Sequence, residues 1–191
     1  MKEVYILDQI FDNIGISEIQ KGEYENCIFR NCNLEYADLS GFSFNDCEFI
    51  GCNLSMVKLV GAAFREVFFK ECKMFGLLFN ECSAFGISFR FEGCSLHNSV
   101  FYNTTIRKTI FKDSKLIEVD FASCDLSDAV FNNCDLSGAV FDSTNLEKAN
   151  FRTSFNYSID PSQNRLKKAK FSLSEIHGLL HQFDIEIDIN G

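Results

Sequence analysis

The chain has 191 residues, a formal net charge of −9, 22 Phe, no Trp and a single Pro. An acidic surplus of that size opposes binding to bare nucleic acid, whose phosphates require a basic footprint, and a hydrophobic content of 46 % excludes an intrinsically disordered chain. No apolar run approaches a membrane-spanning length, and the nine cysteines are unaccompanied by a secretory signal, since Val4-Tyr5-Ile6-Leu7 is short and is cut by Asp8, so a reducing cytoplasm is the expected compartment.

Residues 1–16 read as an N-terminal cap, with Val4, Ile6, Ile10 and Phe11 suggesting a short strand. From residue 17 the cysteines set the frame. Cys27, Cys32, Cys47, Cys52, Cys72 and Cys82 share one phase of a five-residue period, and Cys94, Cys124 and Cys134 share another. Two residues after most of them stands Phe or Leu, as in Cys27-Ile-Phe29 and Cys134-Asp-Leu136. A period of five is neither helical nor that of a flat strand, so the segment 17–171 is a repeat array. With the Phe or Leu as centre i, positions i and i−2 point inward and the other three carry the charge. Every fourth centre forms a column: Phe91, Phe111, Phe131, Phe151 and Phe171 in the second frame, and Phe29, Phe49, Phe69 and Phe89 in the first. A twenty-residue super-period means four sides per coil, with these phenylalanines as structural core.

The phase jumps between Phe79 and Phe91, which places extra residues in a frame break at 82–93. A bulge filled by Phe85 is expected there, with Gly86 or Gly93 taking the strained backbone; a hinge or contact loop is the functional alternative. Residues 152–165 read as a loop, after which Leu166 and Phe171 rejoin the columns. Ser172 followed by Glu175 is a capping-box signature, and Ile176, Leu179, Leu180 and Phe183 predict one apolar face of a C-terminal α-helix. The tail Asp184-Ile185-Glu186-Ile187-Asp188-Ile189 alternates like a strand, so 172–191 is expected to act as cap and dimerisation element.

Ala37-Asp38-Leu39-Ser40-Gly41 and Cys134-Asp135-Leu136-Ser137-Gly138 carry the full motif of small residue, Asp/Asn, Leu/Phe and two polar residues. Over roughly residues 17–171 the chain resembles the pentapeptide-repeat family. The resemblance implies an all-β, right-handed quadrilateral β-helix, in which about seven coils spaced ~4.8 Å apart make a rod roughly 34 Å long. It also implies a homodimer through the C-terminus, because similar proteins pair tail to tail through such elements.

Chemistry is sparse. Within each phase the cysteines are spaced by five or its multiples rather than as C-x₂-C, and His97 is expected on the surface. His177 and His181 lie four apart without a third ligand beside them. No nucleophile elbow, phosphate-binding loop or dinucleotide fingerprint occurs, and Asp38, Asp120, Asp125 and Asp135 have a structural use in bonding turn backbone. No catalytic residue, metal site or cofactor is expected, and the chain reads as a non-catalytic binding or structural protein with a protein partner. Charge is the remaining signal. Between Glu118 and Glu147 there are seven acids and no base, which makes Glu118, Asp128, Asp142 and Glu147 a candidate acidic binding surface. Residues 1–57 hold ten acids against three bases. Acidic rods of the Qnr and MfpA types mimic duplex DNA, bind DNA gyrase or topoisomerase IV and affect quinolone sensitivity, so the resemblance implies that activity as an alternative. This chain lacks room for the longer Qnr loops, and its charge of −9 over roughly 34 Å is about one per 4 Å, against one per ~1.7 Å in DNA.

Overall fold

The computed structural model describes residues 4–183 together with 185 and 186. The chain winds as a four-sided parallel β-solenoid. One side stacks β1 (Val4–Leu7), β3 (Gly22–Glu25), β5 (Ser43–Asn45) and β7 (Ala63–Arg65). The next side stacks β2 (Ile10–Asp12), β4 (Ile28–Arg30), β6 (Glu48–Ile50), β8 (Val67–Lys70), β9 (Phe89–Glu92), β10 (Ile110–Lys112) and β11 (Val130–Asn132). Single-residue bridges hold the third and fourth sides, for example Asn53↔Lys73 and Val100↔Asp120.

The five-residue period closes because position i+2 takes the left-handed backbone conformation and turns the corner. Asn26 (φ 51°), Glu118 (55°), Asp128 (59°) and Gly138 (67°) are examples. Such angles are costly for residues other than Gly, Asn and Asp. The adjoining coil compensates: the Asn26, Glu118 and Asp128 amides donate to Asn45, Ser137 and Glu147 carbonyls at 3.0, 2.8 and 2.9 Å. Position i−1 braces the same corner from the other end, as Oδ1 of Asp38, Asp120, Asp125 and Asp135 accepts from the amide two residues on, at 2.8–3.1 Å.

Inside the second side runs one column of nine rings: Phe11, Phe29, Phe49, Phe69, Phe91, Phe111, Phe131, Phe151 and Phe171. Successive centroids lie between 4.5 Å (Phe131–Phe151) and 5.3 Å (Phe69–Phe91) apart, with ring planes within 18° of parallel. Eight steps of ~4.8 Å give a rod of about 38 Å. Phe11 belongs to this column because the first coil is short: Phe11 pairs with Phe29 at an offset of 18, and a 3₁₀ turn at Ile16–Glu18 replaces the fourth side.

Across the frame break the column runs Phe69 to Phe91, an offset of 22, so Phe89 is not its next member as the five-residue count suggested. The two extra residues lie on the first side. Ser83 still bonds back to Ala62, whereas Ser88 bonds back to Phe64. Phe85 does not fill this bulge but points out, 81 % exposed; the interior space is taken by Phe89, whose ring contacts Phe64, Phe79 and Phe91. Gly86 and Gly93 both carry positive φ.

The stretch expected as a loop at 152–165 is mostly coil. The bridges Asp135↔Phe155 and Asn145↔Arg165 keep the twenty-residue offset. Only 156–164 departs: Asn156 and Pro161 stand outside, and Tyr157 and Ile159 are buried in their place. The C-terminal α-helix is corrected to two 3₁₀ turns, Ile176–Leu179 and His181–Phe183. Gly178 sits against Tyr157, and its carbonyl accepts the Ile159 amide at 2.9 Å, which removes it from any helical i→i+4 bond. The expected tail strand at 184–189 falls largely outside the described residues.

Phe131 is 1 % exposed and stacked on both neighbours. Phe131→Ala removes these two stacked contacts and the edge-on ones with Phe121 and Phe141, and leaves a cavity that coils on either side cannot close, so it is expected to cost ~3–5 kcal/mol. A thermal melt checks this, and an unchanged melting temperature would contradict the stacked interior.

Candidate functional site

The interior is lined by hydrocarbon, interrupted by small buried thiols and hydroxyls. Position i−2 at the corner between the second and third sides carries Cys32, Cys52, Cys72, Cys94, Ser114, Cys134 and Ser154. Each thiol or hydroxyl there has one hydrogen to donate, and most give it to a column phenylalanine one coil back: Cys52 to the Phe29 carbonyl, Cys72 to Phe49, Cys94 to Phe69, Cys134 to Phe111 and Ser154 to Phe131, at 2.9–3.4 Å. Cysteine is therefore a compact side chain and also a weak donor to a buried carbonyl, a use the spacing alone did not show. Burial pushes the Cys47 and Cys134 thiols up to about 12. All nine cysteines are free, and among the described residues no His/Cys/Asp/Glu group is arranged to hold a metal ion. His97 is half-buried with its ring edge-on to Phe75, and the His177 and His181 rings are 6.2 Å apart.

The acidic residues between 118 and 147 do not form one surface. Glu118 occupies the corner between the third and fourth sides, where it accepts from Asn98 at 2.6 Å, and Asp142 follows the fourth-side centre Phe141. Asp128 and Glu147 lie beyond the next corner, on the first side. Neighbouring coils supply the bases that this window lacks. Arg165 pairs with Glu147 at 2.7 Å, Lys148 lies 3.9 Å from Asp128, and Arg107 pairs with Asp125 at 2.7 Å. Partial desolvation works against the Asp125 and Asp135 charges, but hydrogen bonds from Ser127 and Arg107, and from Ser137 and Asn156, outweigh it and hold both carboxyls below the ordinary range.

The expected dimer face is likewise divided. Leu179 packs on the core, Ile176 and Leu180 are half-buried, and Phe183 is 57 % exposed. The frame break, where the sequence already marked Phe85 and Gly86, carries a cluster whose arginine partners the sequence did not single out. Phe85 stands beside Arg65, whose guanidinium lies 5.6 Å from its ring centroid, and Arg90 covers Phe68 at 4.9 Å. A Cβ on Gly86 would touch the Arg65 side chain, so this close approach favours glycine there. Phe85 and Gly86 were legible as an aromatic out of phase beside a glycine, whereas the pairing with Arg65, twenty positions back in the chain, could be found only by reading residues one coil apart as neighbours.

Two family models match the chain: pentapeptide repeats (8 copies) over residues 27–74, and a pentapeptide repeat region over 87–154. The chain belongs to the pentapeptide-repeat family, and its four-sided coil is that family's right-handed quadrilateral β-helix. Among solved structures it is similar to full-length QnrB1, a plasmid-mediated fluoroquinolone resistance protein, with 18 % identity, 95 % of this chain and 100 % of that chain covered, and a TM-score of 0.56. HetL, involved in heterocyst differentiation regulation in the cyanobacterium Nostoc sp. strain PCC 7120, matches at 17 % identity over 86 % of each chain, with a TM-score of 0.48. The likeness to QnrB1 is one of fold. A search of curated proteins finds no match.

Asp135 offers a pH test. Its folded carboxyl titrates below the unfolded value, so its contribution is present above ~4 and is lost as pH falls through the lower, folded value. Asn33 and Asn53 already brace corners at this repeat position. Asp135→Asn keeps the corner bond but gives up that contribution, so it is expected to melt somewhat below the parent at neutral pH and to converge with it on acidification, as read by melting temperature from pH 7 to pH 3.

Proposed function

We propose that this pentapeptide-repeat chain is a non-catalytic binding rod of the cytoplasm that engages a protein partner on its flank, around the frame break. One observation carries the reading: where the ladder is interrupted, the inserted residues display Phe85 instead of burying it. An exposed aromatic held beside an arginine has the composition of an interface hot spot. The filled interior supports a binding role as well, since a column of stacked rings leaves no axial cleft for a small substrate. Nine free thiols suit a reducing compartment. A photo-crosslinking amino acid placed at position 85 is expected to capture one protein in the native host, with capture lost when it is moved to Ile110 on the neighbouring side. Equal capture at both positions would remove the reading.

A second reading draws on the first three coils, where ten acids face three bases in residues 1–57. In that reading the rod mimics DNA and binds DNA gyrase or topoisomerase IV, changing quinolone susceptibility. The internal pairing of Asp125, Asp128 and Glu147 shifts its weight away from Glu118–Glu147 toward Asp12, Glu23, Glu25 and Asp46. Purified protein in a gyrase supercoiling assay, with and without a quinolone, checks it: salt-sensitive inhibition or protection is expected, and neither effect would eliminate mimicry.

A further inference from the structure

The two ends of the rod are complementary edges of one ladder. At the N-terminal end β1 and β2 each pair on one side only among the described residues, with β3 and β4. Tyr5, Leu7 and Ile10 are exposed there, and Ile6 and Phe11 line an open groove of about 360 Å³ with Gln9 and Tyr24. At the C-terminal end the 3₁₀ turns lie over the third and fourth sides, where Gly178 meets Tyr157 and Gln182 meets Asp160. On the first and second sides Leu166 and Phe171 stay half-exposed, and the Leu166, Lys168 and Phe171 amides make no backbone bond to another described residue. The open halves of both ends are thus the same two sides.

We propose that this protein assembles head to tail, the last coil of one copy docking on the first coil of a second. The bonding rule between coils gives the register. A centre amide donates to the i−1 carbonyl of the next coil, as Leu146 does to Arg165, and a corner amide donates to the i+1 carbonyl, as Lys148 does to Lys167. Continued across the junction, the Leu166 amide reaches the Tyr5 carbonyl, Lys168 reaches Leu7, and Phe171 reaches Ile10. The Phe171 ring then stacks on Phe11, extending the nine-ring column into the next molecule. Charge selects this pairing over tail to tail. The last coil carries Arg165, Lys167, Lys168 and Lys170 with no acid between them, so two such ends repel, while residues 1–57 hold ten acids against three bases. In register, Lys168 meets Asp8 at the corner where, inside the rod, Lys148 meets Asp128. Because the two patches differ, the contact does not close, and repetition gives an open filament. The inference is independent of the flank reading above.

Sedimentation velocity of the full chain across concentration and salt, with negative-stain images, tests it. The expected result is a mass that grows past dimer with concentration, weakens at high salt, and gives filaments with an axial repeat of about 43 Å, nine steps of ~4.8 Å with the junction included. Lys168→Glu, at an exposed corner, should weaken association roughly tenfold without changing the melting temperature; Asp8→Lys, which also gives up the Asn26 hydrogen bond and a residue suited to a left-handed corner, should weaken it as much at a modestly lower melting temperature, and the double exchange should recover association. A chain that stays monomeric, a dimer that grows no further, or a double variant no better than the singles would overturn the proposal.

Discussion

The whole structure depends on one constraint: no coil can satisfy itself. A five-residue unit makes a corner only by placing a residue such as Glu118 or Asp128 in the left-handed region, and that residue's amide has no partner within its own coil. The partner is a carbonyl of the next coil. The same holds for the interior, where the carbonyl of a column phenylalanine is met by a thiol or hydroxyl one coil on. Stability is therefore built between neighbours, as in other repeat proteins, and register is the property that all these contacts share.

Register also rewrites the electrostatics. In a solenoid the spatial neighbours of a residue are about twenty positions away, so a charge count along the chain measures the wrong distance. The window from Glu118 to Glu147 has no base in sequence, yet Asp125, Asp128 and Glu147 each have one within 4 Å, supplied by Arg107, Lys148 and Arg165. These pairs are exposed and contribute little to stability. Their effect is on the surface field, because they convert an apparent acidic stripe into a mixed one. The net acidity that remains is concentrated at the N-terminal end, where residues 1–57 hold ten acids against three bases, while residues 150–191 hold five of each, so the net charge falls off along the chain.

The column Phe91 to Phe151 was legible in the sequence because a twenty-residue repeat of one large residue has no other economical explanation. Its two ends were harder to read. Phe11 was missed because a coil of eighteen residues breaks the count, and Phe89 was misassigned because a coil of twenty-two does; both depend on where a side gains or loses residues, which the inward pattern alone does not mark. The C-terminal segment shows a different kind of failure. Ile176, Leu179, Leu180 and Phe183 have helical spacing, but Gly178 interrupts them, and its carbonyl is claimed by Ile159. A tertiary hydrogen bond overrode a periodicity that was already weakened by glycine.

The division between positions that fold the rod and positions that use it explains why function was the fainter signal. Positions i and i−2 are fixed by the interior, i+2 by the corner, and i−1 often by the turn, so the composition that announces the fold says little about a partner. Information about binding can enter only where the repeat leaves a residue free or is broken. Phe85 satisfies both conditions. A phenylalanine in phase would have been drawn inside, as Phe64 and Phe89 are on either side of it. Two inserted residues instead lift it out of the ladder, and Gly86 lets the backbone turn beneath it. An insertion at this one side costs the column nothing, because Phe69 and Phe91 still stack at 5.3 Å across it. The solenoid can thus acquire a contact residue on its flank while its interior remains continuous, which is the physical reason that a rod with so uniform a core can carry a specific surface.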